Sequence, residues 1–454
     1  LVKVINTNMS AFSKTLNYSD MKRKAMGSRV TKVCVAPQNG STFTAGQNIQ
    51  IKLPTMAGAY MALDQGYLKF DVTSVGAASA LDQTAYSLFN RIDTQSQSAT
   101  VDSLTQANCY YSFLMDVGMN GQSMKDWGAI CLGSAGDPDQ THLGAELSVS
   151  TATSFCLPFF HGIFNSTKMI PLDTADGLNF SFYLESAANA LIAKAATAAP
   201  TGYEIKNVEW CAYVTQLSPE SQALLDASLG DLGMNITFDA VAHTSGQKAG
   251  GDLNVVNSLG FRYSALSRVA ILHRNQGNQG DALEHSISNR SHANLSEASL
   301  VVGGQSVPER PIKCGGERGF CEPLTETLIS YGVLGSQDHS CGFNGLQRST
   351  NAAAGVLDNR YAVMDGTLGA AKDQDDAAKL NSTIGSFGFS IDTDLIKSPT
   401  DGGIYSGLST LGSTTQSRLV YSAAITPAMT IDYYATYTAI LSLNSISRSW
   451  EVSV

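Results

Sequence analysis

The sequence predicts an all-β protein with a few short helices in its loops, folded as two tandem antiparallel β-sandwiches. Three observations lead there. Short runs of alternating apolar residues recur from end to end, separated by clusters of Gly, Ser, Asn and Asp. Strands do not alternate with long amphipathic helices, as parallel βαβ units would require. And 454 residues exceed what one core organises, with a candidate joint at the midpoint.

That joint is 203–243. Tyr203, Ile205, Val208, Trp210, Ala212 and Val214 alternate as a half-buried strand does, with a phase slip at Lys206–Asn207 that suits a bulge. Ser218-Pro219-Glu220 then predicts a helix start, with Ser218 as N-cap, Pro219 at the first helical position and an acid in the first turn. Leu224, Leu225 and Leu229 give that helix one apolar side, Gly230 and Gly233 end it, and Ile236, Phe238 and Ala240 resume a strand. The predicted division is a basic arm (1–32), a first sandwich (33–217), a linker helix (218–230) and a second sandwich (231–454) with a long insertion at 335–383.

Before the joint, 30–37 (VTKVCVAP) and 48–54 (NIQIKLP) read as strands, the second with Ile49, Ile51 and Leu53 on one face. Tyr67–Val72 alternates again, and 86–95 (YSLFNRIDTQ) is strand-like. Asp102 or Ser103 can cap a helix through Leu104, Ala107, Tyr111 and Leu114 that ends near Gly118. Residues 130–153 and the Ala-rich 187–200 read as long loops, with strands at Ser154–Phe160 and Leu178–Leu184 between them.

The second half repeats this order. A turn-rich run at 244–252 precedes strands at Val255–Phe261 and 267–274 (SRVAILHR). Leu300–Val302 leads into GGQSVPERPI, and Glu322–Leu334 reads as a helix with Leu324, Leu328, Ile329 and Leu334 inward. Strands close the chain at Phe387–Leu395, Arg418–Ala424, Thr430–Leu443 and Ser449–Val454.

Charged residues make up 15% of the chain, against about 25% in typical soluble proteins. Either much of the surface lies against other subunits, where charge is costly to desolvate, or the surface is simply polar and uncharged. The net charge of −10 argues against wholesale nucleic-acid binding. Residues 1–32 depart from it: Lys3, Lys14, Lys22, Arg23, Lys24, Arg29 and Lys32 stand against Asp20 alone. Such an arm suits contact with a polyanion, or is a solvated tail. No stretch approaches the ~20 apolar residues of a membrane span, and no secretory signal is visible. Eight scattered cysteines (34, 109, 131, 156, 211, 314, 321 and 341), without a CxxC pair, read as buried thiols of a soluble protein made in a reducing compartment. Cys314 and Cys321 bracket GGERGF, a loop that a disulfide could close.

Motifs for chemistry are missing. There is no phosphate-binding glycine loop, no HExxH and no GxSxG elbow. His285 and His292 are not at a recognised ligand spacing, and His339 beside Asp338 and Cys341 is the sort of proximity chance supplies. Asp373, Asp375 and Asp376 lack the pattern of a calcium loop. No catalytic, cofactor-binding or metal-binding residue is predicted.

Taken in order, the segments resemble the double jelly-roll major capsid proteins, the lineage of virophages, Polinton-like viruses and large DNA viruses of eukaryotes. The likeness runs through YLKFDVT (67–73), YSLFNRIDTQ (86–95), the Tyr110–Leu114 helix segment and FNSTKMIPLDTADGLNFSFYLESAANAL (164–191). It continues through SPESQALL (218–225), VVGGQSVPERPI (301–312) with the helix after it, FGFSIDTDLI (387–396) and IYSGLSTLGS (404–413). The insertion 335–383 fits least well. The resemblance implies two tandem eight-stranded jelly-roll β-sandwiches and a structural, non-enzymatic subunit without cofactor or metal. It further implies homotrimers that form pseudo-hexagonal capsomers of an icosahedral capsid, in a virion assembled inside the infected host cell. Implied partners are neighbouring capsomers and minor capsid proteins, with an internal membrane or genome reached through Lys22, Arg23, Lys24, Arg29 and Lys32. Loops 130–153, 187–200 and 335–383 would form towers and intersubunit walls. The competing readings are a minor capsid or vertex protein and a tandem β-sandwich carbohydrate-binding protein. The latter wants exposed aromatic platforms, whereas Trp127, Trp210 and Trp450 are few and read as core or strand positions.

Overall fold

The computed structural model describes residues 28–96, 99–119, 123–134, 144–174, 177–193, 199–229, 234–314, 321–332, 387–394, 407–425, 427–443 and 449–453. Before the midpoint the strands are β1 (Ser28–Val35), β2 (Thr42–Thr44), β3 (Asn48–Lys52), β4 (Ala59–Val75), β5 (Ser79–Leu81), β6 (Phe89–Gln95), β7 (Thr100–Thr105), β8 (Glu146–Leu147), β9 (Thr153–Pro158), β10 (Ile170–Pro171), β11 (Asn179–Leu184), β12 (Leu191–Ala193) and β13 (Gly202–Leu217). Helix α1 (Ala107–Gly118) follows β7, and α2 (Pro219–Leu229) follows β13. After it come β14 (Met234–Lys248), β15 (Asn254–Ser258), β16 (Leu266–Asn275), β17 (Leu295–Val302), β18 (Gln305–Lys313), helix α3 (Cys321–Ser330), β19 (Phe389–Asp392), β20 (Thr415–Tyr421), β21 (Met429–Leu443) and β22 (Trp450–Ser453).

Pairing turns these strands into two copies of one plan. In the first half β1 and β2 both pair with β13, at its two ends, and β9 and β10 both pair with β4. Each couple therefore fills one strand position. The sheets are β1/β2–β13–β4–β9/β10 and β3–β11–β6–β7. Counted along the chain, their positions pair as 1-8-3-6 and 2-7-4-5, the connectivity of an eight-stranded jelly roll. The second half gives β14–β21–β16–β19 and β15–β20–β17–β18, the same two orders, with β22 continuing the line of β16 along β21. Two tandem eight-stranded jelly rolls result. A small sheet, β12–β5–β8, is added to the first.

The alternation seen in sequence is the cause of this layering. Tyr203 and Ile205 of β13 face inward; Lys206 and Asn207 are both exposed; Val208, Trp210, Ala212 and Val214 face inward again. Asn207 adopts φ 53, and the register with β4 shifts between Lys206 and Glu209, so the phase slip is a bulge. Trp210 then centres an aromatic cluster, with Phe180, Phe164, Phe159 and Phe182 at ring-centroid distances of 5.2, 5.4, 6.2 and 6.4 Å.

One sheet of the second roll behaves differently. Along β16, Val269 and Ile271 join that roll's own core, while Ala270 and Leu272 join a core shared with the first roll. Along β21, Ile431, Tyr433 and Ala435 take the first side; Tyr434, Ala439 and Leu441 take the second. This sheet is a wall between two cores, buried on both faces.

Several sequence expectations shift. Asp102, Ser103 and Leu104 lie in β7, not at a helix start; pairing with β6 outweighs the local capping signal, and Gln106 (φ 50) turns the chain into α1. The loop read at 130–153 contains β8, and 187–200 contains a helical turn and β12; both strands pair with β5. β14 runs on to Lys248, through the first part of the expected turn. α3 ends at Ser330, short of Leu334, with Gly332 at φ +69 beyond it. In α2 the Ser221 N–H donates to Ser218 Oγ (3.3 Å), as the N-cap reading requires. Leu224 is not on an inward face, being 73% exposed, whereas Leu225 is half-buried; the helix is also seated through buried Ser221 and a hydrogen bond from Tyr60 Oη to Gln222 Oε1 (3.0 Å). Trp210 and Trp450 are buried, whereas Trp127 is exposed. The insertion 335–383, His339 and Asp373 to Asp376 fall outside the described residues.

Phe180→Ala removes the ring nearest Trp210. It is expected to cost about 3–5 kcal/mol, read as a lower urea midpoint followed by tryptophan fluorescence.

Candidate functional site at the joint between the rolls

Among the described residues the polar chemistry concentrates where the two rolls meet. Helix α1 is the wedge. Its Tyr110 ring lies 5.0 Å from Tyr434 and its Phe113 ring 5.9 Å from Tyr331, both in the second half. One turn on, Asp116 faces Arg290, a fully buried guanidinium. Arg290 also donates to Ser112 Oγ (3.2 Å) and lies over the Phe113 ring at 5.7 Å. The other Asp116 oxygen accepts from Gln83 Nε2 (2.8 Å). A buried ion pair of this kind holds only with its hydrogen bonds complete.

Asp82, just after β5, is the second contact. It accepts from the backbone N–H of Ile287 (2.7 Å) and Ser288 (3.1 Å), from the Ser288 hydroxyl, and from His285 Nδ1 (2.8 Å). Burial pushes this carboxyl up, yet the facing imidazole and the donated bonds outweigh it and hold Asp82 below its ordinary value. Around it, Ala193 N donates to Ala282 O (2.8 Å) and Gly280 N to Asn189 Oδ1 (2.7 Å).

The third contact is Asp432 of β21. It takes Arg274 Nε at 2.6 Å and His243 Nε2 at 2.8 Å. His243 Nδ1 meets Thr105 Oγ1 at 2.9 Å, and Tyr434 Oη donates to Gln106 O at 2.9 Å, so the network crosses into the first roll. Burial pushes Asp432 up; the Arg274 charge and the bonds from both partners win and hold it at about 2.

Asp102 of β7 is the exception. It is fully buried, and burial pushes it up to about 7. His161 Nε2 lies 3.8 Å away and is itself pushed down to about 3 by burial. The Tyr111 hydroxyl accepts from Phe160 N (2.9 Å) and meets His161 Nδ1 at 2.6 Å on the far side of the ring from Asp102. A side chain at position 162 would collide with this carboxyl: a Cβ there would fall 1.7 Å from Asp102 Oδ2, and Gly162 has φ +55.

Sequence reading named none of these residues as a site. His285 does matter, but through Asp82; His292 accepts instead from Asn294 N (3.0 Å), so the two histidines form no ligand pair. A signal was available: Asp432 is the lone charge of 430–440 and Arg274 closely follows the apolar run 269–272, positions that a buried strand tolerates only with a partner.

The cysteine reading is corrected. Cys34 and Cys211 form a disulfide, with Cα atoms 4.2 Å apart and 177 residues between them in sequence. They meet because β1 and β13 pair in a register no local spacing reveals. Cys314 is a buried free thiol, and the Cys321 side chain lies outside the described residues. Among the described residues, one group could collect metal ligands: Cys34, Glu209 and Cys211. Its two sulfurs are already joined. Of the basic arm, Lys22, Arg23 and Lys24 lie outside the described residues; Arg29 and Lys32 belong to β1, where the Lys32 ammonium donates to Tyr67 Oη (2.6 Å).

Arg290→Met strands the Asp116 carboxylate and is expected to cost about 3–5 kcal/mol, much of it recovered by also changing Asp116→Leu; calorimetry of the single and double variants checks this. The carboxylates predict opposite pH trends. Asp432 is depressed from 3.8 to about 2, so its contribution is complete above about pH 4 and is lost as pH falls towards 2. Asp102 is raised from 3.8 to about 7, so its contribution is complete below about pH 4 and is lost as pH rises through 7. Asp102→Asn is therefore expected to raise the melting temperature at pH 8 and to leave it nearly unchanged at pH 4.

No protein-family model matches this chain, and neither does any curated protein. Solved structures do. The PBCV-1 virus capsid model superposes with a TM-score of 0.60 at 10% identity, covering 95% of this chain and 98% of that one. The Faustovirus major capsid protein gives 0.56 at 8% identity, over 92% and 91%. A cryo-EM structure of the Sputnik virophage gives 0.54 at 10%, over 95% and 89%. With the strand order found in both halves, these matches establish that the chain has the double jelly-roll fold seen in viral major capsid proteins.

Proposed function

We propose that this protein is a major capsid protein, a structural subunit without catalytic function. The observation that carries the reading is the repeated strand order: two rolls of one plan, fused through a buried joint into a single block. Three such chains present six nearly equivalent rolls, which suits a pseudo-hexagonal capsomer and an icosahedral shell. The full-length likeness to capsid subunits of PBCV-1 and Faustovirus supports the same role, with the virion as its location. The low charge fraction then has a cause, since side walls facing neighbours avoid the cost of desolvating ions. Exposed Leu224, Ile130 and Val256 are candidates for contacts between copies.

In this reading the basic residues before β1 face a membrane or genome, or tie capsomers together. The insertion 335–383 supplies an outward tower, while parts of 130–153 and 187–200 are used up in the small sheet of the first roll.

Light scattering of the purified protein is expected to give about three times 48.0 kDa, and negative-stain micrographs hexagonal particles. A monomer that binds glycans on an array would instead favour the carbohydrate-binding reading. Deleting residues 1–25 is expected to leave trimers intact and to reduce closed shells; normal shell yield from that deletion would remove the arm from the proposal.

A further inference from the structure

The first strand is held in an unusual way. Among the described residues β1 is an edge strand whose one sheet neighbour is β13. Residues 28–32 are all exposed, and only Val33 and Val35 pack, half-buried, against the core. An edge strand so nearly alike on its two faces has a register that burial specifies weakly. A slip of two residues would keep the backbone ladder and most of the contacts. It would also part Cys34 from Cys211, which face each other directly in the observed register.

Exposure singles out one member of this pair, since Cys211 is buried. Cys34 is exposed, whereas Cys131 and Cys156 are half-buried and Cys109 and Cys314 are buried. Burial pushes the Cys109 and Cys314 thiols up to about 12 and raises Cys156 as well. The Cys109 and Cys314 thiols therefore stay protonated and unreactive.

We propose that Cys34 and Cys211 are a redox-set clip, open as thiols in a reducing compartment and closed by a small disulfide oxidant to fasten β1 to β13 in one register. Oxidised glutathione serves as the oxidant. The Cys34 thiolate attacks one of its sulfurs and releases a glutathione thiolate, which takes up the proton Cys34 lost. The Cys211 thiolate then attacks Cys34 Sγ and expels the second glutathione thiolate, which takes up the proton of Cys211. Two protein thiols are oxidised and one glutathione disulfide is reduced to two thiols.

The test uses the full chain, reduced with dithiothreitol and then oxidised with glutathione disulfide. Free thiols are alkylated and mapped by mass spectrometry, and tryptic cleavage after Lys32 is timed in both states. The expected result is a Cys34–Cys211 linked peptide only after oxidation, with cleavage at least about tenfold faster in the reduced form, as local opening of an unclipped edge strand requires. In Cys34→Ser, cleavage is fast and indifferent to the oxidant. Should that variant not fold, the two states of the unaltered chain decide alone. Cys34 and Cys211 both still alkylated after oxidation, a Cys131–Cys156 link with Cys34 free, or equal cleavage rates in the two states would each overturn the clip.

Discussion

A guanidinium that no water reaches must be answered where it stands, and Arg290 is answered by the other half of the chain. Its partners, Asp116 and Ser112, are on α1, in the first roll. Apolar surfaces can slide past one another at small cost; a buried ion pair with directed bonds cannot, because each ångström of slip leaves a charge unsatisfied. Asp82 adds the same constraint with backbone donors at 287 and 288, and His243 and Tyr434, beside Asp432, add it through Thr105 and Gln106. These contacts lie along one seam. Together they restrict the two rolls to one relative placement, which packing alone would leave approximate.

The seam also decides what counts as a folding unit. Sequence suggests two sandwiches, and strand pairing keeps them apart. Packing does not. The shared core takes Phe238, Leu272, Tyr434 and Trp450 from the second half and Phe113, Trp210 and Leu63 from the first. Cutting the chain at the linker helix would expose one face of the β14–β21–β16 wall, and with it Arg290 and Asp82 would lose their partners. The second roll keeps its own core, centred on Val269, Ile271, Leu419 and Tyr433, to which the other face of the wall contributes.

Much of this fold was legible in the sequence, for reasons particular residues make plain. The period of two in β13, its bulge at Asn207 and the Ser218-Pro219 helix start are local signals, and local geometry obeyed them. The unbroken apolar stretch at 269–272 (VAIL) carried a further message, since only a sheet buried on both faces needs it. What was not legible depends on register over long separations. Asp102 looked like a helix cap because nothing nearby announces that β6 will claim Leu104. Cys34 gives no hint of Cys211, and Asp82 gives none of His285, 203 positions away. Of the charges of the joint, Asp432 alone was visible as an oddity, a single ion among the apolar residues of its strand, with its partners unnamed.

A likeness of about one residue in ten to the capsid structures fits this division. A jelly roll asks of its strands an alternation of apolar and polar residues and an order of pairing, and many sequences satisfy both. A joint built from buried ions asks for more, since Asp116 is tolerable only with Arg290 and Arg290 only with Asp116. Such a pair must change together or not at all. The plan of the rolls can thus persist while their sequences drift, whereas the angle between the rolls is held by a few residues that cannot drift singly. Of the two, the joint is the more exacting part of the design.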